Sequence, residues 1–303
     1  MPELNPAKEG IAYFRGFKSR FRVVGHGRTH PPLLCIHGGP GYGFDYLKPL
    51  EEMMSTGRQV VFYDQLGCGG SDRPGDGVDW SMDLFLDELE AVRAAAGLEH
   101  VHLLGHGWGG MLALEHALRG APGIESLILS SAVASVPHWR AELAQLLEAL
   151  PEEIRAPLRK HAAEGTTASL ACCCTVDAVL RRHFCRMTPW PDCLERSHAY
   201  ARAHPEARRA LFGPSEVEPA GRLAEWDITA RLGEISCPTQ VVSGRHDFVT
   251  PPMAATIYRD VPASEWVVFE HSAHVPHLEE AQRYLEVLDG FLGKVESAME
   301  RRA

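Results

Sequence analysis

The sequence predicts an α/β protein with a mostly parallel sheet, and two observations carry that prediction. Short apolar runs at 33–37, 59–63, 101–105, 124–130, 239–244 and 265–269 are bounded by Gly, Pro or Asp, with helical patterns between most of them. The alternation also stops after Ser131 and returns only beyond Cys237-Pro238, which marks an insertion in the core. Strands that alternate with helices give a parallel sheet covered on both faces, and 303 residues that are 45% apolar can bury a substantial core.

Taken in order, Leu33-Leu34-Cys35-Ile36 and the run at 59–63 read as buried strands. Ser81 to Gly97 reads as a crossover helix, because Leu84, Phe85, Leu89 and Val92 recur at helical spacing and a glycine follows Ala-rich sequence. Val101-His102-Leu103-Leu104 is the next strand, and a helix opens at Met111-Leu112-Ala113-Leu114. Residues 134–230 contain helical stretches such as Ala141 to Leu150 and few strand-like runs, so they are assigned to a helical cap. The core is then 1–133 and 231–303, closing with Thr239 to Gly244 and an amphipathic helix through Tyr284, Leu285, Leu288 and Phe291.

Composition narrows the function. A formal net charge of −10 with no basic cluster beside aromatic residues argues against nucleic acid. Met1 to Gly10 has no apolar signal region and no stretch holds eighteen uninterrupted apolar residues, so a soluble, cytoplasmic protein without membrane contact is expected. Eight cysteines without paired C-x-x-C spacing read as free thiols. The run Cys172-Cys173-Cys174 cannot close a tetrahedral metal site by itself, because adjacent side chains point in different directions, so no metal is expected. Nothing in the sequence specifies an oligomeric state.

The chemistry concentrates in three places. Gly105-His106-Gly107-Trp108-Gly109-Gly110 lies between a strand and a helix, and has the frame of a G-x-S-x-G nucleophile elbow with glycine where the serine belongs. A dinucleotide fingerprint is the competing reading of that frame, but Trp108 would crowd a pyrophosphate and no acidic ribose ligand follows. His37-Gly38-Gly39-Pro40-Gly41 follows a strand directly, a loop in which Gly39 N–H is expected to join Trp108 N–H as an oxyanion donor, with His37 and Gly38 beside the substrate. Asp247 and His274 each follow a late strand, giving the chain order nucleophile, acid, base, in which Asp orients the His that takes the nucleophile's proton. His271 and His277 compete with His274 for that role.

Together with Asp64-Gln65-Leu66-Gly67-Cys68-Gly69-Gly70-Ser71-Asp72, Trp226-Asp227-Ile228-Thr229, Gly244-Arg245-His246-Asp247 and His274-Val275-Pro276-His277-Leu278-Glu279-Glu280, these residues resemble the proline iminopeptidase family of α/β-hydrolases. The resemblance spans almost the whole chain and takes in related amino-acid amidases and aminopeptidases. It implies an α/β-hydrolase fold with an eight-stranded-type, mostly parallel sheet and a helical cap. It also implies release of an N-terminal residue from a peptide, amide or arylamide through an acyl-enzyme, without metal or organic cofactor. The stretch Gly213-Pro214-Ser215-Glu216 matches the family's cap motif and makes Glu216 the candidate anchor for the substrate's ammonium. Several members carry a second glutamate directly after the triad aspartate. Phe248 stands there in this chain, which points to a more apolar acyl group and away from strict proline specificity.

Without a hydroxyl at Gly107 there is no atom to form the acyl-enzyme, so the chain is expected to be nearly inert as a peptidase. Either a serine has been exchanged for glycine in an active hydrolase, or the chain is a natural member turned to small-molecule binding or to non-hydrolytic chemistry based on His274. His106 is expected to assist in the latter case. Cys68 lies in another loop with no assignable base and is not a substitute nucleophile.

Overall fold

The computed structural model describes residues 7–26, 29–75, 77–166, 169–215 and 218–301. Among these residues eight strands form one sheet: β1 (Lys8–Phe14), β2 (Phe17–Val24), β3 (Leu33–Ile36), β4 (Val60–Tyr63), β5 (Val101–His106), β6 (Ile124–Ser130), β7 (Thr239–Gly244) and β8 (Ser264–Phe269). Their order is β1-β2-β4-β3-β5-β6-β7-β8. The six strands from β3 onward run parallel, and β2 pairs antiparallel with both β1 and β4. The sheet is therefore mostly parallel, as the sequence predicts, with an added N-terminal hairpin.

The central strands are apolar throughout because both faces are covered. Leu34, Ile36, Val61 and Tyr63 pack into one core with α1 (Met82–Ala95), α2 (Trp108–Leu118) and α8 (Pro251–Asp260). Leu33, Cys35, Val60 and Phe62 face the other way, toward the 3-10 segment Asp45–Thr56, α9 (Pro276–Glu279) and α10 (Ala281–Glu300). Alternate side chains of each strand serve opposite cores, which is why the strands read as unbroken apolar runs. At the start of α1 the Ser81 hydroxyl accepts from Leu84 N–H at 3.3 Å, so the crossover helix starts where its capping residue places it.

Between β6 and β7 the chain inserts α3 (Val136–Glu148), α4 (Glu152–Ala163), α5 (Leu170–His183), α6 (Asp192–Ala203) and α7 (Glu206–Phe212). Helix α3 begins before the expected Ala141, because Ser135 caps it by accepting from His138 N–H. The two ends of the insertion are zipped together. Val136 N–H donates to Trp226 C=O and Ile228 N–H to Ala134 C=O, both at 2.9 Å, while the Ser135 hydroxyl donates to Asp227 at 2.8 Å. The Trp226-Asp227-Ile228-Thr229 motif is thus the clasp that returns the chain to the sheet. Among the described residues no helix is long and apolar enough to cross a membrane.

Away from the clasp, α10 is tied to the sheet by a buried charge cluster. Arg58 grips Glu296 with Nε and Nη2 at 2.7 and 2.6 Å, and His102 Nε2 lies 3.3 Å from the same carboxylate. Burial opposes ionisation of Glu296, but Arg58 and His102 overcome it and hold its pKa down at about 2. Glu296→Gln should lower stability at pH 7 by about 1–3 kcal/mol, because it removes the buried partner of Arg58 and leaves that guanidinium only the half-exposed Asp289 carboxylate at 2.5 Å. A depressed carboxylate stabilises above its unfolded pKa of 4.5 and loses that contribution as pH falls toward 2. Urea melts should therefore show the variant's deficit shrinking between pH 5 and 3, by linkage. A deficit independent of pH would contradict this assignment.

Candidate active site

The turn from β5 into α2 is possible only with its glycines. A Cβ on Gly105 would lie 2.3 Å from Gly109 O, and one on Gly109 would lie 2.2 Å from Ile36 O. The flanking glycines let strand, turn and helix approach at backbone distance. Between them Gly107 has φ +53° and ψ −116°, donates its N–H to Ser130 C=O at 2.9 Å, and projects its missing side chain toward His274. A Cβ built there lies 3.2 Å from His274 Nε2 and 3.6 Å from Cε1, with no other described residue beyond its chain neighbours within 4 Å.

His274 is the histidine brought to this position. Its Nδ1 donates to Asp247 Oδ1 at 2.8 Å, and that oxygen also accepts from Val249 N–H at 2.8 Å. A carboxylate partner keeps the proton on Nδ1, which leaves the Nε2 lone pair facing Gly107. Phe248 stacks on the imidazole with ring centroids 4.3 Å apart and Phe184 lies against it at 5.2 Å. His274 N–H donates to Phe184 C=O at 2.9 Å, so the insertion helps to position the imidazole. The competitors are elsewhere. His277 is buried and donates from Nε2 to Tyr46 C=O at 3.2 Å, with burial lowering its pKa to about 3, whereas His271 lines a separate surface cleft.

His106 does not enter the pocket chemistry, contrary to expectation. It is buried, its Nε2 donates to His274 C=O at 2.8 Å, and its Nδ1 accepts from the Tyr46 hydroxyl at 2.8 Å. Tyr46 in turn accepts from Gly38 N–H at 2.7 Å. Burial drives the His106 pKa well down and keeps the ring neutral, so it acts as a strut behind His274.

The glycine loop divides between contact and support. Gly39 and Trp108 line the cavity, and Trp108 is the first residue of α2, where an N–H has no intrahelical acceptor. His37 and Gly38 do not line it, which corrects the expectation that they touch substrate. His37 is completely buried, with Nδ1 donating to Gly38 C=O at 2.8 Å and Nε2 accepting from Gln65 N–H at 3.0 Å, and burial lowers its pKa to about 4. Gly38 N–H is already given to Tyr46. Gln65, which in the sequence stands only as part of a motif, couples the two loops. Its amide donates to His37 C=O at 2.7 Å and accepts from Trp108 Nε1 at 2.8 Å. Gln65→Leu should cost about 1–3 kcal/mol for each partner left unpaired, measurable as a lower urea midpoint.

Above Gly107 opens a cavity of about 700 Å³. Met111, Val133, Trp139, Leu180 and Phe212 line it with Phe184 and Phe248. Ser131 also faces it, buried at φ +53°, but its hydroxyl donates to His274 C=O at 3.1 Å and not toward the imidazole. Cys172 and Cys173 also line it, and Cys68 is buried, with burial pushing its thiol pKa far up. Glu216 lies outside the described residues. The stretch leading to it is held by Arg208, which donates to the carbonyls of Gly213, Pro214 and Ser215 at 3.1–3.3 Å.

Comparison with known proteins gives a consistent picture. The family described as the alpha/beta hydrolase fold matches residues 31–281. A proline iminopeptidase of Lactobacillus helveticus is 35% identical over 288 residues, covering 94% of this chain and 97% of its own length. One from Saccharolobus solfataricus is 35% identical over 278 residues, covering 91% and 88%. Among solved structures, VinJ superposes with a TM-score of 0.92 at 35% identity, covering 95% of this chain and 99% of its own. The proline iminopeptidase of Mycobacterium smegmatis superposes with a TM-score of 0.89 at 33% identity, covering 96% and 100%.

Proposed function

Because this chain belongs to the proline iminopeptidase family of α/β-hydrolases, we propose that its site is built to release N-terminal residues from peptides, amides or arylamides, and that Gly107 silences it. The observation that carries this reading is the place of a Cβ at Gly107, 3.2 Å from a His274 Nε2 that Asp247 orients from the other side. A serine there would attack the scissile carbonyl, His274 would take its proton and return it to the leaving amine, and Gly39 and Trp108 N–H groups would hold the oxyanion. Water would then hydrolyse the ester.

Residues 134–230 act as the cap in this reading and Glu216 receives the substrate's free amine. Phe248, with Trp139 and Phe212 nearby, favours an apolar side chain on the released residue, proline being one of several that fit. A natural loss of hydrolysis, leaving a pocket for small amino compounds, is the second reading, and Gly107 itself favours it.

The test uses the Gly107→Ser protein with p-nitroanilides of proline, alanine and leucine and with their N-acetylated forms. Free amines should be turned over at least ~10-fold faster than acetylated ones, the scale of one charged contact. Equal rates would remove the aminopeptidase assignment, and silence on every substrate would favour the second reading.

A further inference from the structure

We infer that the protein, with Gly107 in place, hydrolyses aminoacyl esters directly, His274 delivering a water through the space that a nucleophile's side chain would occupy. The inference rests on the acyl-transfer reading of the same site, and gives this chain an activity that needs no covalent intermediate.

The geometry separates glycine from every other residue at this position. Among the described residues, its chain neighbours aside, a Cβ at Gly107 meets only the His274 ring within 4 Å, at 3.2 Å from Nε2. In an alanine a methyl fills that point and blocks the imidazole. In glycine the same point is open to the cavity and lies about one hydrogen-bond length from a lone pair that accepts from no other described residue. Asp247 fixes the tautomer that makes Nε2 the acceptor, and Phe248 and Phe184 hold the ring plane. Base and entry space therefore meet at one point above the elbow, in a cavity that Gly39 and Trp108 also line.

The step balances without a further reactant. The water oxygen bonds to the ester carbonyl carbon while its proton passes to His274 Nε2, and the carbonyl electron pair moves onto the oxygen held by the two N–H groups. Collapse re-forms the carbonyl and breaks the bond to the leaving oxygen, which takes the proton back from Nε2. An acid and an alcohol leave, and His274 returns to its neutral form. Esters are the class that fits, because an alkoxide departs from such an intermediate far more readily than an amine and the ester carbonyl lacks amide resonance.

Proline benzyl ester and proline p-nitroanilide, given to the parent and to the Gly107→Ala, His274→Gln, doubly substituted and Gly107→Ser proteins, test this. The parent should hydrolyse the ester and not the anilide, with linear progress and no acyl adduct by intact mass. Gly107→Ala and His274→Gln should each lower the parent's rate by about 10²-fold, the general-base contribution, and the double change should cost no more than either alone. Thermal melts confirm that each variant is folded, and hydroxylamine should yield more hydroxamate with the parent than with Gly107→Ala. Equal ester rates for the parent and Gly107→Ala, or an acyl adduct on the parent, would overturn the inference. If Gly107→Ser cleaves both substrates while the parent leaves the ester intact, this inference falls and the acyl-transfer reading stands. If Gly107→Ser is silent on both, that reading falls as well.

Discussion

The Gly107→Ser protein is expected to release p-nitroaniline from proline p-nitroanilide at least ~10³-fold faster than its parent. Removing the nucleophile of a serine triad costs of order 10⁶ in turnover, and what remains comes from the oxyanion hole and substrate binding. Everything that survives such a removal is in place here: the elbow, the Asp247–His274 pair at 2.8 Å and the two loops joined by Gln65. The same change should lower stability by about 1–2 kcal/mol, because Gly107 sits at φ +53°, where an L side chain is strained. Gain of activity with a lower melting temperature is the expected pair of results. Gain without loss of stability would show that the turn relaxes when it receives a side chain.

Within the serine-bearing protein, Asp247→Asn should lower kcat by about 10⁴-fold with little change in KM. Asparagine can donate to Nδ1, which shifts the proton to Nε2 and deprives the nucleophile of its base. Asp247 also accepts from Val249 N–H, so a urea melt of the variant is needed to separate lost chemistry from a displaced loop. A loss below ~10-fold would mean that another group orients His274, contrary to the tautomer argument.

Much of this site is legible along the chain because its parts are local. The elbow, the glycine loop and the residues after β7 and β8 are short stretches at strand ends, where a parallel sheet gathers ligands and catalytic groups. The strands that carry them are unbroken apolar runs. Strands β1 and β2 escape that reading for a physical reason. In the edge strand β1 only alternate residues are buried, Ala12 and Phe14 inward with Ile11 and Tyr13 exposed, and the charged positions of both strands disguise their period. Their turn at Arg15-Gly16, both at positive φ, is the signal that marks the hairpin.

Contacts between distant segments are what the sequence hides. His37 stands in the right loop but turns inward to Gln65, and His106 stands beside the nucleophile position but bonds to the carbonyl of His274. Both orientations follow from long-range partners, Tyr46 and Gln65, that no local spacing reveals. The aromatic wall of Trp139, Phe184 and Phe248 likewise joins the insertion to the β7–α8 loop.

The most direct measurement is the intact mass of the parent and the Gly107→Ser protein after incubation with a fluorophosphonate, followed by peptide mapping. The account predicts a single adduct, on residue 107 of the serine-bearing protein, and none on the parent. An adduct on the parent, at Ser131 or elsewhere in the cavity, would place the nucleophile at another residue. An unlabelled Gly107→Ser protein would contradict the claim that this site is a serine triad lacking one side chain.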